Sequence, residues 1–500
     1  MPQFIFSNTS HSDISYVSDQ ILFAPMYSTK TYLIDKNGDI SHTWSSNYIP
    51  GVMVRWLGNG EILRTIRVDV GPGSGGGGGG VQKLKWDGTV VWDFRYNTNG
   101  VLSHHDVRVL PDGNILLIAW ETKTRDEAIA AGVNPNLIFG NKLMPDHIIE
   151  VEPTGPTTGD IVWEWHVWDH LIQDYDPSKV NYGVVADHPE LVDINFVTVS
   201  SGLSTDWLHT NSIDYNEEFD QILISVHNFN EIWVIDHSTT TEEAAAHNGG
   251  NSGKGGDLLY RWGNPITYRA GTLSDRQFFY QHDATWIKPE YPGEGNILIF
   301  NNGAERPDGN YSSIDEIIPP VNSTGHYYLE TGSSYGPDNL FWRYTANPPE
   351  SFFASCVSGA ERLIDGNTII CDGVSGRFFE VTSSGTIVWQ YVNPYPNQLM
   401  NDVFKIEYIS TDNSQNKSDL DCEGNLGWKK VEGGSIVNGS FFVQNIGGDI
   451  SFLNWRIDLF PSWGSWSFDP EYGENLNPND GKIIVNVSVV TPDIKFKRFE

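Results

Sequence analysis

Fourteen histidines occur among 500 residues. Three of them stand at matched places in a repeated pattern: within Ser103-His104-His105-Asp106, within Asp206-Trp207-Leu208-His209-Thr210-Asn211-Ser212, and within Gln281-His282-Asp283-Ala284. Each phrase leads into a strand-like run of the Gly-Asn-Ile-Leu kind. The corresponding places elsewhere are Pro50-Gly51-Val52-Met53 and Ser355-Cys356-Val357-Ser358-Gly359-Ala360. Imidazole at such positions admits three kinds of chemistry. The rings can cap strands through hydrogen bonds. Three of them can hold a metal ion, which for zinc requires nitrogens about 2.1 Å from the ion. They can also serve as acid, base and nucleophile on an anionic substrate, because imidazole exchanges a proton near neutral pH and forms covalent intermediates. Asp106, Asp206 and Asp283, beside the histidines, read as groups that orient the rings.

The elements that must position these residues are strands. A phrase of turn residue, apolar residues and Trp or Tyr returns six times, at Gly38–Trp44, Gly88–Trp92, Gly159–Trp163, Asp257–Trp262, Asn339–Trp342 and Gly385–Trp389. An apolar run precedes most copies, such as Thr31–Ile34, Val81–Leu84, His147–Val151, Ile232–Ile235 and Arg377–Val381. Runs such as Ile62-Leu63, Ile115-Leu116, Gln221–Ile224, Ile297-Leu298 and Thr368–Ile370 complete the unit. β-branched and aromatic residues punctuated by Gly, Asn and Asp mark strands, and a repeated unit of several short strands is how a propeller is written. The expected fold is all-β: a six-bladed β-propeller over 1–410, a polar linker over 411–420, and a small immunoglobulin-like β-sandwich over 421–500. The histidine phrases then fall where the innermost strands enter the central channel. Helical periodicity is confined to Arg125–Ala131 and Thr241–His247. Gly71 to Gly80, nearly all glycine, reads as a solvent loop or as a flap over the channel mouth. The chain ends at Lys495–Glu500 in what reads as mid-strand.

Taken in order, several phrases resemble the arylsulfotransferase family. They are His104-His105-Asp106-Val107-Arg108-Val109-Leu110-Pro111-Asp112-Gly113-Asn114, Asp206–Ile213, Gln281–Ala284 with Phe300-Asn301-Asn302-Gly303, and Ser358–Thr368 continuing through Phe379–Val381 to Val388–Pro394. The resemblance implies a propeller that moves a sulfuryl group from an aryl sulfate to a phenol through a sulfo-histidine, with no nucleotide sulfate donor and no other cofactor. It implies that His282 is the nucleophile and that His209 and His105 bind the sulfuryl oxygens and handle the phenol proton. His104, His227, Asn211 and Arg306 are the expected substrate-binding residues, and no residue is assigned to a catalytic metal. One departure stands out. The family carries an Arg after the second histidine's strand, where this chain reads Ile224-Ser225-Val226-His227-Asn228. Val226 takes the Arg position, and His227 or Arg306 is left to supply charge. The alternative reading is a secreted or cell-surface propeller that kept the fold and lost the chemistry.

Composition excludes other classes. The net charge of −33 opposes binding to nucleic acid, whose affinity rests on cationic contacts, and to anionic membranes. No apolar run is long enough to span a bilayer. Three cysteines, Cys356, Cys371 and Cys422, give no disulfide framework, although Cys356 and Cys371 fall on what read as neighbouring strands. Asp- and Asn-rich loops offer the oxygens a structural calcium ion takes. A hydrolase or lyase on anionic polysaccharide lacks a positioned carboxylate pair. The N-terminus has no signal-peptide pattern, yet six sequons, at Asn8, Asn310, Asn322, Asn416, Asn438 and Asn486, point with the C-terminal sandwich to an extracellular, periplasmic or cell-surface protein. The sequence sets no oligomeric state.

Overall fold

The computed structural model describes residues 5–8, 19–410 (except 59, 73, 74, 139 and 198–202) and 420–493 (except 424, 425, 429, 430, 447–452, 460 and 462). The chain divides into two units, Ile21–Arg55 with Ile62–Tyr408, and Met1–Gln20 with Trp56–Glu61 and Ile409–Glu500. The expected linker lies, but for its last residue, outside the described residues, as do the final Lys495–Glu500 and the sequon at Asn416.

The first unit is built on six four-stranded sheets in chain order. Sheet 1 places Glu407–Ile409 beside Gln20–Phe23, Lys30–Asp35 and Ile40–Ser45. Sheet 2 holds Pro50–Trp56, Ile62–Arg67, Gly79–Leu84 and Val90–Arg95, and sheet 3 Val101–Val109, Ile115–Glu121, Asp146–Gly155 and Thr158–His166. Sheet 4 holds Thr210–Asn216, Gln221–Val226, Glu231–Asp236 and Tyr260–Trp262, and sheet 5 His282–Trp286, Ile297–Asn301, Ser313–Ile317 and Trp342–Tyr344. Sheet 6 holds Gly359–Arg362, Thr368–Asp372, Arg377–Val381 and Ile387–Val392. The middle strands are covered on both faces, as in Gln221–Val226 and Glu231–Asp236, which is why they read as unbroken apolar runs. The two short helices form at Arg125–Ala130 and Thr241–Ala244, each with a capping box, from Thr124 with Glu127 and Thr240 with Glu243.

The six tryptophan phrases are the last strands of the six sheets, and the indoles explain the repetition. Trp44 Nε1 donates to Lys85 O at 3.0 Å, Trp92 to Thr158 O at 2.9 Å, and Trp163 to Thr239 Oγ1 at 3.1 Å. Trp262 donates to Pro337 O at 3.0 Å, Trp342 to Ser383 O at 2.8 Å, and Trp389 to Lys36 O at 2.6 Å. Each bond runs from one sheet to the next, and the sixth returns to the first. A hydrogen bond of this kind is worth about 1 kcal/mol net, and each flat ring buries far more in area.

The second unit has a four-stranded sheet (Leu420–Glu423, Ile436–Asn445, Ile483–Val490, Ser465–Asp469) and a three-stranded one (Ile5–Asn8, Leu453–Leu459, Tyr472–Leu476). They share a core of Phe441, Val443, Leu453, Trp455, Ile457, Val485 and Val487. Ile5–Asn8 pairs antiparallel with Leu453–Leu459. The chain's first described strand therefore belongs to this unit and not with the rest of 1–410, because strand Leu453–Leu459 offers it an open ladder edge. Cys356, Cys371 and Cys422 are free thiols, so Cys356 and Cys371 are not bridged.

Candidate functional site

The first strands of sheets 3 and 5 carry His105 and His282, His209 stands directly before the first strand of sheet 4, and each strand has an irregularity beside its histidine. Pairing slips between Leu117 and Ala119, opposite His104–Asp106, and likewise at Thr210/Ser212 and His282/Ala284. His105 (φ 51°), His209 (φ 53°) and Asp283 (φ 48°) take left-handed backbone, as do Val52 in sheet 2 and Val357 and Ser358 before sheet 6. Non-glycine residues adopt this conformation at a cost, and it gathers where a fold must re-aim side chains.

The three bulges, with the 3-10 turn that opens at His227, bring four imidazoles into a chain of contacts. The ring centroids of His105 and His209 lie 4.6 Å apart, those of His209 and His227 5.0 Å, and those of His227 and His282 5.1 Å. Phe404 closes the circle, 5.9 Å from His105 and 6.2 Å from His282. Tyr280 packs 5.1 Å from His227. The three histidines singled out by the repeat thus converge, and His227 joins them. Val226 instead packs into the hydrophobic core with Trp207 and Phe229, so the position facing the site after this strand is held by His227.

Each ring is fixed through Nδ1. His282 Nδ1 lies 2.8 Å from Asn302 Oδ1, while Asn302 Nδ2 donates to Ala354 O and Val357 O. The two carbonyls set the amide's orientation, so its oxygen faces His282, the proton sits on Nδ1 and Nε2 keeps its lone pair. His227 repeats the device: Nδ1 meets Asn228 Oδ1 at 2.8 Å, and Asn228 Nδ2 donates to Asp206 O and Trp207 O. His209 differs, since its Nδ1 bonds the Asp206 carboxylate at 2.5 Å, and Trp120 Nε1 donates to the other Asp206 oxygen at 2.9 Å. His105 Nδ1 pairs with His104 Nδ1 at 2.7 Å.

These partners divide the protons. Burial lowers His282 to about 3, against the opposing hydrogen bonds to Asn302 and the Tyr280 backbone. Burial and then the neighbouring imidazoles push His105 and His227 well below the usual histidine range. Burial also works against the charge on His209, but the Asp206 carboxylate outweighs it and raises His209. The site holds one ring disposed to carry a proton beside three disposed to be neutral.

The remaining expected residues are placed as follows. His104 stacks on Trp120 at 3.8 Å with its Nε2 3.3 Å from Asp146 Oδ1, so it supports His105. Asn211 Nδ2 donates to Gln281 O at 2.8 Å, steadying the residue before His282, and among the described residues its buried Oδ1 has no partner. Arg306 is engaged on its own hairpin: it donates to Tyr311 O and Ser313 Oγ and lies over the Phe279 and Tyr311 rings. Those bonds hold the Nε and Nη2 of the guanidinium within the hairpin. The glycine run is not a loop in solvent alone. Gly76 to Gly80 are buried, and a Cβ on Gly76 would fall 1.9 Å from His105 Cε1. Among the described residues, the side chains that bring three ligand-type atoms within 4.8 Å of one another are His170, His247 and Asp257. There Asp257 Oδ1 bridges the two Nδ1 atoms at 2.8 and 2.7 Å, and His170 Nε2 donates to Ala244 O. Asn302, Asn228, Trp120 and Phe404 went unread as site residues. Only Asn302 had a signal in the sequence, its place in the Asn301-Asn302-Gly303 phrase.

The site thus combines one imidazole raised by a carboxylate with three lowered by burial, the residue types that acid, base and nucleophile steps on an anion require. The profile of the arylsulfotransferase (ASST) family matches residues 7–426. The chain belongs to that family. It is 24% identical over 317 residues to the arylsulfate sulfotransferase AssT of Escherichia coli O6:H1, covering 59% of this chain and 49% of AssT; the chain thus matches about half the length of that relative. Solved structures similar to it include a Bacteroides caccae protein of unknown function, 14% identical with a TM-score of 0.41 over 78% of this chain and 99% of that one. Another is virginiamycin B lyase from Staphylococcus aureus, 10% identical with a TM-score of 0.36 over 78% and 89%. Among the described residues, no helix is long and apolar enough to cross a membrane.

Proposed function

We propose that this protein is an arylsulfate sulfotransferase that works through a sulfo-histidine, on a six-bladed β-propeller followed by an immunoglobulin-like sandwich. Family membership supports the sulfuryl chemistry, and the round of indole hydrogen bonds supports the propeller. The observation that carries the mechanism is the His282–Asn302 bond, which leaves Nε2 of a buried neutral imidazole as the nucleophile. In the first half-reaction His282 Nε2 attacks sulfur. The bond between sulfur and the aryl oxygen breaks, its electron pair leaves with the phenolate, and His209 gives that oxygen its proton. In the second, the acceptor phenol returns a proton to His209, its oxygen attacks sulfur, and the N–S pair reverts to His282. His105 and His227 take the sulfuryl oxygens once the anion has drawn protons onto them. No nucleotide donor enters this scheme, and the substrates are small aryl sulfates and phenols. The sequons favour a place outside the cytoplasm.

The test is phenol release from a chromogenic aryl sulfate, with and without an acceptor phenol, beside His282→Asn. Release that needs the acceptor and vanishes in the variant supports the reading. Folded protein that releases nothing over a wide pH range counts against it.

A further inference from the structure

Directly after each of three groups at the site comes a charged residue: Asp106 follows His105, Asp283 follows His282, and Lys405 follows Phe404. The three charges meet. Lys405 Nζ donates to Asp106 Oδ2 at 2.9 Å and to Asp283 Oδ1 at 2.5 Å, and all three side chains are at most 5% exposed. Asp106 Oδ1 also accepts from Val107 N at 2.8 Å and from Arg55 Nη2 at 2.9 Å. The spare oxygen of Asp283 accepts from Ala360 N in sheet 6 at 3.0 Å. Gly359 is required for this approach, because a Cβ there would fall 2.2 Å from Asp283 Oδ2 and 2.9 Å from Lys405 Cβ. Lys405 and Arg55 face Asp106 and Asp283, with Glu407 and Asp214 also acting on Arg55, so the cluster is a buried ion network anchored at the bulges beside His105 and His282.

We infer that Lys405 is a positioning residue: by joining Asp106 to Asp283 it sets the separation of His105 and His282 across the site. The inference rests on the sulfuryl-transfer reading for its kinetic consequence, but not for its geometric one. A lone ammonium hydrogen-bonds carboxylates at two bulges from different sheets, whereas Arg55, bonded to Asp106, acts on Asp283 through its charge alone. A buried charge stripped of its partner destabilises a fold, so Lys405→Met alone would mix two effects. The double variant Lys405→Met/Asp283→Asn removes one charge of each sign and leaves the net charge of the network unchanged.

The experiment compares wild type, Lys405→Met and the double variant by thermal unfolding, by kcat and KM for an aryl sulfate with acceptor phenol, and by the imidazole nitrogen NMR signals of His105 and His282, assigned with His→Asn variants. The expected result is a double variant that regains most of the stability Lys405→Met loses. Its kcat nonetheless stays about 100-fold down, the scale of a 1 Å misplacement, with KM changed by less than about 3-fold and the two ring signals moved. A double variant with wild-type kcat, or ring signals that stay in place, would overturn the inference. If wild type itself transfers nothing, the sulfotransferase reading falls, and the ring signals alone decide the role of Lys405.

Discussion

Asn302 accepts the Nδ1 proton of His282 at 2.8 Å while both its amide hydrogens are held by the Ala354 and Val357 carbonyls. A neutral amide in this place keeps the nucleophile neutral. A carboxylate would stabilise the imidazolium instead. Asn302→Asp should therefore raise the pKa of His282 and move the acid limb of kcat/KM up by about one pH unit or more. The measurement is a pH–rate profile from about pH 3 to 8 on protein shown to stay folded, because the His282 ring starts from about 3. A limb in its wild-type place would show that Asn302 does not govern the protonation of His282.

The Asp206 carboxylate raises His209 above the usual histidine range, against the burial that opposes it. Asp206→Asn removes the charge and keeps the shape. The proton donor for the leaving phenolate is then lost at neutral pH. Phenols that leave as weak bases hardly need it, whereas poor leaving groups do. The expected outcome is a loss of about 100-fold with unactivated aryl sulfates and under about 10-fold with nitrophenyl sulfate. A uniform loss across leaving groups would assign Asp206 to structure alone.

How much of this could be read from the chain depends on repetition. The six tryptophan phrases are legible because each outer strand solves the same problem, an indole reaching the next sheet, with the same residues. His105, His209 and His282 are legible because the repeat places them at one structural position. Lys405 and Phe404 are not, since they lie beyond the last repeat and meet partners across the whole fold; Lys405 and Asp106 are 299 residues apart. The partners of Arg306 were not legible either, since its bonds to Tyr311 and Ser313 form across its own hairpin. Left-handed backbone at His105 and His209 leaves no mark in residue type, because histidine, unlike glycine, does not announce it.

Burial disposes three of the four rings to be neutral, yet an aryl sulfate brings a negative charge. Its field should draw protons onto His105 and His227. Binding is then expected to take up protons, so that the calorimetric enthalpy at pH 7.5 differs between buffers of high and low ionisation enthalpy. The difference should shrink in His227→Ala. Equal enthalpies in both buffers would mean that the anion is held without protonating these rings.

Gly76 lies against His105 with φ 70°, and a Cβ there would reach within 1.9 Å of Cε1 and 2.5 Å of Nε2. Alanine is both strained in the backbone and placed where the ring stands. Gly76→Ala should leave global stability within about 1–2 kcal/mol of wild type and lower kcat/KM by at least about 10-fold. Unfolding in urea and aryl sulfate turnover on the same preparation separate the two effects. Unchanged turnover would show that the glycine strand does not stay against His105 in solution.

A stability switch is built away from the site. His237 Nδ1 bonds Asp220 at 2.7 Å and its Nε2 bonds Glu150 at 3.1 Å. Burial opposes the charge on this ring, but the two carboxylates prevail and raise it to about 9. The unfolded value is about 6.5, so the folded state binds the proton more tightly. The contribution is fully present below about pH 6.5 and is lost as pH rises through about 9. The partners Asp220 and Glu150 are lowered despite their burial, chiefly by their hydrogen bonds to His237, so their share is present above about pH 4 and is lost as pH falls below it. The window of maximal effect is therefore about pH 5 to 6.5. His237→Gln should cost about 2–3 kcal/mol there and progressively less toward pH 9, read by urea unfolding across pH. A cost that does not vary with pH would mean that the ring is held neutral and acts by packing alone.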